Sequence, residues 1–328
     1  MRPFKPLFKN PHLATIAGNF WQRPDSAARF PVETVDYRTE PDVQIRVHEQ
    51  RPAGQPKGEV ILIHGLEGSS ESGYARSMAA AALDRGWVTH RFNMRGCGGT
   101  EHLSLLSYHA GQTSDLLTVV RERRKASGLP VFVVGYSLGG NVALKLAGEL
   151  SEDAKGLLAG VCSVSAPIDL AVCAEAIGRR QNFIYQNRFL DRLKARIRCK
   201  NQLSPDVYTL EHLPKVRSIA DFDDYYTARL FGFGTAANYF RTQSSNQYLE
   251  RIRIPAMLIQ AKDDPLIPFH IYDHPAFALN PMLQLLVVES GGHLGFLSRR
   301  NPRFWLDGTL LDWMEQRIGN IGAPTGVS

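Results

Sequence analysis

The chain is expected to be an α/β protein, with a mostly parallel central sheet, helices on both of its faces and a helical insertion at its carboxyl edge. Three observations predict this. Apolar, β-branched runs of strand length alternate with helical patterns along most of the 328 residues, a rhythm that implies a parallel sheet covered on both sides. Several runs are apolar throughout, as in strands buried on two faces. From about Pro167 to Arg251 the rhythm stops, and the segment is polar, basic and aromatic with helical stretches but no buried-type strand.

The elements follow in order. Val32–Tyr37 and Val43–His48 alternate in period two around Glu40-Pro41-Asp42 and read as an antiparallel hairpin. Glu59–His64 is a continuous apolar strand. Gly73–Arg85 is an alanine-rich helix stopped by Gly86, and Trp87–Asn93 is the next strand. An amphipathic helix over Gln112–Ser127 ends at Gly128-Leu129-Pro130 and leads to the strand Val131–Gly135, the helix Leu138–Leu150 and the strand Gly160–Ser165. After the break, strands resume at Ala256–Ala261 and Leu283–Glu289. A last helix is expected to start at Asn301-Pro302, because Asn caps well and Pro fits the first helical position. Its Phe304, Trp305, Leu310, Leu311, Trp313, Met314 and Ile318 have the spacing of a core-packing ladder. The body is thus residues 1–166 and 251–328, and residues 167–250 are an insertion expected to act as a lid.

Composition bounds the function. With 44% hydrophobic and 21% charged residues the chain is globular, not disordered or fibrous. No apolar run approaches the ~18 residues of a membrane span. Met1-Arg2-Pro3-Phe4-Lys5-Pro6 is basic but is followed by no apolar stretch, so a secretory leader is not expected and the location is read as cytoplasmic. Cys97, Cys162, Cys173 and Cys199 match no C-x-x-C spacing and are expected to remain thiols. The net charge of +6 is modest. Nucleic-acid binders concentrate charge on one face, so no nucleic-acid partner is called for.

The strongest local signal is Gly135-Tyr136-Ser137-Leu138-Gly139, a G-x-S-x-G placed between a strand and a helix. A serine that attacks a carbonyl must project from a tight turn, and the flanking glycines let the backbone approach its neighbours. Its hydroxyl needs a base. Of ten histidines, His293 in Ser290-Gly291-Gly292-His293-Leu294-Gly295 lies just past a strand, where it can reach the elbow. His64, at the end of a buried strand, is expected to orient the loop behind it. The pair His270 and His274 lies between Pro268 and Pro275 with no third ligand evident, and reads as a surface loop, not a metal site. The base needs an acid to set its tautomer. Asp263 and Asp264 follow a strand, and adjacent side chains point opposite ways. Asp264 is favoured because Pro265 holds its backbone extended, leaving Asp263 to cap a helix or face solvent. Donors for an oxyanion are expected from the amides of Leu138 and Leu66, the latter in Gly65-Leu66-Glu67-Gly68-Ser69-Ser70. A thiol nucleophile at Cys97 is conceivable in Arg95-Gly96-Cys97-Gly98-Gly99-Thr100, but nothing places a base beside it, and a compact glycine turn is favoured.

The order Ser137, Asp264, His293 resembles that of the α/β-hydrolase superfamily. More narrowly the chain is similar to its YheT-like branch, AB hydrolase family four, through His64-Gly65-Leu66-Glu67-Gly68-Ser69-Ser70, Arg85-Gly86-Trp87, Asn93-Met94-Arg95-Gly96-Cys97-Gly98-Gly99, Gly135–Asn141 and Asn10-Pro11-His12-Leu13-Ala14-Thr15-Ile16. The resemblance implies the α/β-hydrolase fold and a serine hydrolase acting on carboxylic esters, lipid-like or of short to medium acyl length, without metal or cofactor. It also implies the soluble bacterial kind, since the membrane-anchored animal relatives carry an amino-terminal anchor that this sequence lacks. No histidine has Asp five positions on, so the lipid acyltransferase motif of some relatives is missing. Epoxide hydrolases and dehalogenases need Asp where Ser137 stands. A thioesterase or perhydrolase uses the same triad, and a non-catalytic binding protein could keep the fold.

In the insertion, Phe183, Tyr185, Phe189, Phe222, Tyr225, Tyr226, Phe231, Phe233, Tyr239 and Phe240 suit an apolar acyl or aryl site, although most are expected simply to pack the lid on the body. The basic run Arg188, Arg192, Lys194, Arg196, Arg198, Lys200 is read either as attracting anionic substrates or an anionic membrane surface, or as a solvated helix face.

Overall fold

The structure is a computed structural model that describes residues 3–321; Met1 and Arg2 of the basic amino-terminal hexapeptide and residues 322–328 at the end of the body lie outside the described residues. Among the described residues, strands β1 (Glu33–Glu40), β2 (Val43–Gln50), β3 (Gly58–Ile63), β4 (Trp87–Phe92), β5 (Val131–Tyr136), β6 (Gly160–Val164), β7 (Ala256–Ala261) and β8 (Leu283–Val288) form one sheet in the order β1-β2-β4-β3-β5-β6-β7-β8. The β1–β2 and β2–β4 pairs are antiparallel, and the remaining neighbours run parallel. The register sets Ile63 beside Phe92 and Gly135, and Tyr136 beside Val164. These ends finish at one rim, so the loops after them converge there.

The α-helices among the described residues are α1 (Pro11–Phe20), α2 (Gly73–Asp84), α3 (Ser114–Ser127), α4 (Leu138–Leu150), α5 (Leu170–Gly178), α6 (Phe183–Leu203), α7 (Ile219–Phe222), α8 (Ala228–Leu230), α9 (Ala236–Gln243), α10 (Ala276–Leu279) and α11 (Trp305–Ile321). The period-two geometry of a strand sends alternate residues to opposite faces. Val60, Leu62, Phe132, Val134 and Tyr136 therefore pack with Met78 and Ala82 of α2 and with Leu310, Leu311 and Trp313 of α11. Ile61, Ile63, Val131 and Val133 meet Leu116 and Val119 of α3 and Val142, Ala143 and Ala147 of α4. The result is a three-layer body.

Between β6 and β7 lie helices α5 to α9, which carry an apolar cluster of their own, with Leu190, Leu193, Ile197, Tyr208, Phe222 and Tyr226. Three sequence expectations shift. Helix α1 was not foreseen, although Asn10 caps it by accepting from the His12 and Leu13 amides at 3.0 Å each, and Pro11 fills its first turn. The last helix starts at Trp305 instead of Asn301, because Phe304 is taken by a bridge to Leu297. Strand β1 extends to Glu40, right up to the turn.

Candidate active site

Ser137 stands between β5 and α4 with φ 51° and ψ −120°, a left-handed backbone that persists only where its surroundings enforce it. Its amide is held by the Val164 carbonyl at 2.8 Å. A side chain at Gly139 would put a Cβ 2.5 Å from the Ile63 carbonyl oxygen, so the elbow can form only with bare backbone there.

His293 lies in the loop after β8, with Nε2 3.0 Å from Ser137 Oγ and Nδ1 2.9 Å from Asp264 Oδ2. The Asp264 side chain is wholly buried, and its other oxygen accepts from the Leu266 and Ile267 amides at 2.9 and 3.1 Å. A carboxylate fixed this way accepts a hydrogen bond from Nδ1–H, keeping the proton on that nitrogen, and leaves the Nε2 lone pair facing the hydroxyl. Asp263 neither caps a helix nor faces solvent: its Oδ1 accepts from the Gly291 and Gly292 amides at 2.8 and 2.9 Å, so it holds the loop that carries His293. Across that loop, Thr15 of α1 accepts from the His293 amide at 2.8 Å and donates to the Pro11 carbonyl at 2.7 Å. Sequence reasoning missed both anchors; the Asp263-Asp264 doublet was a signal for the first, whereas Thr15 lies too far away along the chain to be read.

On the opposite side, the Gly65 amide donates to Tyr74 Oη at 2.9 Å, and the Gly65 carbonyl accepts from His64 Nδ1 at 2.8 Å and from the Gly68 amide at 3.0 Å. In a trans peptide the N–H is directed opposite to the C=O, so the Leu66 amide points away from these donors. A Cβ on Gly65 would lie 2.9 Å from Ser137 Cβ, which sets this peptide against the serine. His64 acts as expected on its loop: it also accepts from the Met94 amide at 3.1 Å, and burial takes its pKa down to about 4. The Leu138 amide opens α4, where no carbonyl lies one turn back to receive it. Among the described residues five non-glycine positions have positive φ, and Glu67, Ser137 and Leu294 in these three loops are among them.

Burial pushes the Cys97 thiol up to about 12, away from nucleophile chemistry. The basic run of the insertion divides. Arg196 and Lys200 are buried, Arg196 against Glu67 at 3.0 Å and Lys200 donating to the carbonyls of Glu101, Ser104 and Leu105, while Arg188 lies over the Phe20 ring. Neither a wholly solvated face nor a wholly free cationic surface describes this run. The inward pair finds its partners about 100 positions away in the chain, which no local pattern reveals.

Two cavities meet at Ser137. An apolar chamber of about 100 Å³ is lined by Leu66, Leu138, Phe189, Phe222, Tyr226 and Phe240 beside Ser137 and His293. An open cleft of about 1030 Å³ runs from Ser137 past Ile16 and Phe20 of α1 to Ile184, Arg188 and Arg192 of α6.

A family model described as the alpha/beta hydrolase fold matches residues 59–299. The chain belongs to the α/β-hydrolase fold family. Within that family it is 33% identical to the YheT protein of Escherichia coli K12 over 316 residues, 94% of this chain and 91% of that one, which places it in the YheT-like branch. This α/β-hydrolase is 28% identical to the phospholipase ABHD3 of Mus musculus, covering 74% of this chain and 59% of that one. It is 30% identical to the monoacylglycerol lipase of Saccharomyces cerevisiae, covering 75% and 56%. The chain therefore spans less than two thirds of either lipase. Among solved structures, the 2,6-dihydroxy-pseudo-oxynicotine hydrolase superposes with a TM-score of 0.61 at 22% identity, covering 90% of this chain and 71% of that one. The Pyrococcus furiosus esterase Pf2001 gives 0.59 at 15%, covering 90% and 99%. These two share the fold.

Proposed function

We propose that this α/β-hydrolase is a carboxylic ester hydrolase that works through Ser137, His293 and Asp264 and an acyl-enzyme. The observation that carries the proposal is the unbroken hydrogen-bonded line from Asp264 through His293 to the Ser137 hydroxyl. His293 Nε2 takes the hydroxyl proton as Oγ bonds to the ester carbonyl carbon, and the carbonyl electrons move onto oxygen. The Leu66 and Leu138 amides receive that oxyanion. Collapse expels the alcohol, which takes the proton from His293. Water then attacks the acyl-enzyme with His293 again as base, releasing the carboxylic acid and restoring Ser137.

Residues 167–250 serve as the lid, and the two cavities divide the substrate. The apolar chamber, of the order that admits a benzene-sized group, takes the acyl part, and the open cleft takes the alcohol. The names of the lipase relatives support lipid-like esters. At the cleft mouth Phe20 and Ile184 are 70% and 57% exposed beside Arg188, which supports contact with an anionic lipid surface. Activity on vesicles doped with anionic phospholipid should then fall as salt rises; a flat salt response removes the electrostatic part.

A fluorophosphonate probe tests the chemistry. The wild type should be labelled and Ser137→Ala should not. Absence of labelling on folded wild-type protein would favour a binding protein that keeps the fold. A series of p-nitrophenyl esters of rising chain length, with matched thioesters, then reads acyl length and separates esterase from thioesterase.

A further inference from the structure

We propose that Arg196, carried on α6 outside the α/β body, is a positioning residue: it fixes Glu67 and thereby the Gly65-Leu66 peptide whose amide receives the oxyanion. This rests on the serine-hydrolase proposal and adds to it a dependence of the oxyanion site on the insertion.

Glu67 is held at each of its polar groups. Its carboxylate accepts from Arg196 Nε and Nη2 at 3.0 Å each and from Tyr108 Oη at 2.9 Å. Its amide donates to Tyr108 Oη at 2.9 Å, and its carbonyl accepts from Arg192 Nη1 at 3.1 Å. Arg196 is anchored in turn, with Nη1 on the Gly96 carbonyl, Nη2 3.2 Å from Cys97 Sγ, and its guanidinium 5.0 Å from the Tyr108 ring centre. The Glu67 and Arg196 side chains are only 5% and 8% exposed, and both residues line both cavities at Ser137.

Two physical points assign this cluster to positioning. A buried ion pair is a poor source of net stability, since apolar residues of equal volume do as well or better, so stability does not account for it. Geometry does. Glu67 has φ 53°, a backbone conformation unfavourable for a side-chain-bearing residue, and it directly follows Leu66. Released from its forked partner, Glu67 can relax toward ordinary backbone angles, and the adjoining Leu66 amide turns with it. A guanidinium reaches Glu67, Gly96 and Cys97 at once, which a single ammonium cannot.

The experiment compares Arg196→Met, Glu67→Gln, the double variant and Arg196→Lys. Turnover and KM for p-nitrophenyl butyrate, thermal melting, and inhibition by an alkyl trifluoromethyl ketone, whose adduct on Ser137 bears an oxyanion, are measured for each. Arg196→Met should lower kcat about 10- to 100-fold, a fraction of what losing one oxyanion donor costs, with KM within about threefold. Its melting temperature should also fall, because Glu67 is left buried without its partner. The double variant should regain melting temperature but not kcat, and ketone affinity should drop in step with kcat throughout, with Arg196→Lys in between. Recovery of kcat together with melting temperature in the double variant, or ketone affinity that stays at the wild-type value, overturns the positioning role. Either result leaves fluorophosphonate labelling of wild-type Ser137 intact, so it is distinct from failure of the hydrolase proposal.

Discussion

Adjacent carboxylates at 263 and 264 sit in the turn that follows β7, where the Asp264 amide donates back to the Ala261 carbonyl at 3.3 Å, and each meets a different part of one loop. Asp264 takes the His293 ring, and Asp263 takes two amides at the loop's start. Replacing Asp264 with Asn keeps the shape but offers an amide to Nδ1, so the ring presents the wrong tautomer. A kcat loss on the order of 10³- to 10⁴-fold should follow. Replacing Asp263 with Ala leaves the tautomer intact and frees the loop, so a loss of about 10- to 100-fold is expected, as for misplaced catalytic groups. Steady-state kinetics of both variants checks the ranking. Equal losses would mean that Asp263 does more than hold the loop.

Among the elements, α1 shows how a helix outside the sheet can govern the site. Its Gly18 is pressed so closely on the His293 loop that a methyl there would lie 2.6 Å from Gly295 Cα. Alanine is ordinarily better than glycine inside a helix by about 1 kcal/mol, so a free helix would gain from Gly18→Ala. Here the collision is with backbone, and overpacking of this kind costs about 1–3 kcal/mol. Net destabilisation and a lower kcat are expected, read by chemical denaturation and ester turnover; a more stable variant would show that α1 does not bear on the loop. The signals for α1 were present in Asn10-Pro11, yet its short apolar pattern resembles a loop with scattered side chains. The body strands were legible because continuous apolar runs such as Val60–Ile63 have few other uses in a chain of this kind. The same holds for Ser137, whose elbow is written in neighbouring residues. The oxyanion role proposed for Leu66 belongs to a backbone amide and leaves no side-chain signature, so it was reached only from the place of Gly65-Leu66 after a strand end, whereas Arg196 is defined by partners remote in sequence.

For the whole molecule, pH sets a measurable balance. Burial pushes the carboxyls of Asp223, which faces the apolar chamber with Thr227 donating to it at 2.7 Å, and Asp307, beside Ser77, up to about 7 and about 6. An acid whose pKa is raised on folding favours the fold in its neutral form. The stability is fully present below the unfolded value near 3.8 and is lost as pH rises through about 6 for Asp307 and about 7 for Asp223. Asp223→Asn should therefore melt higher than wild type above pH 7, by at most about 4 kcal/mol in stability, and the gap should close toward pH 4. Parallel melting curves across that range would mean that the carboxyl ionises without cost.

The chamber and the cleft touch one another around Ser137 and diverge from there, one inward between the insertion and the sheet, the other outward along α1 and α6. A molecule built this way has two separate handles on what it accepts. Phe222 and Tyr226 line the chamber alone, and Phe20 and Ile184 the cleft alone, so the effects on log kcat/KM of narrowing the chamber at the first pair and altering the mouth at the second should sum. On the proposed division of the ester between chamber and cleft, acid and alcohol preference would then be set independently, and a new preference for one half gained without forfeiting the other.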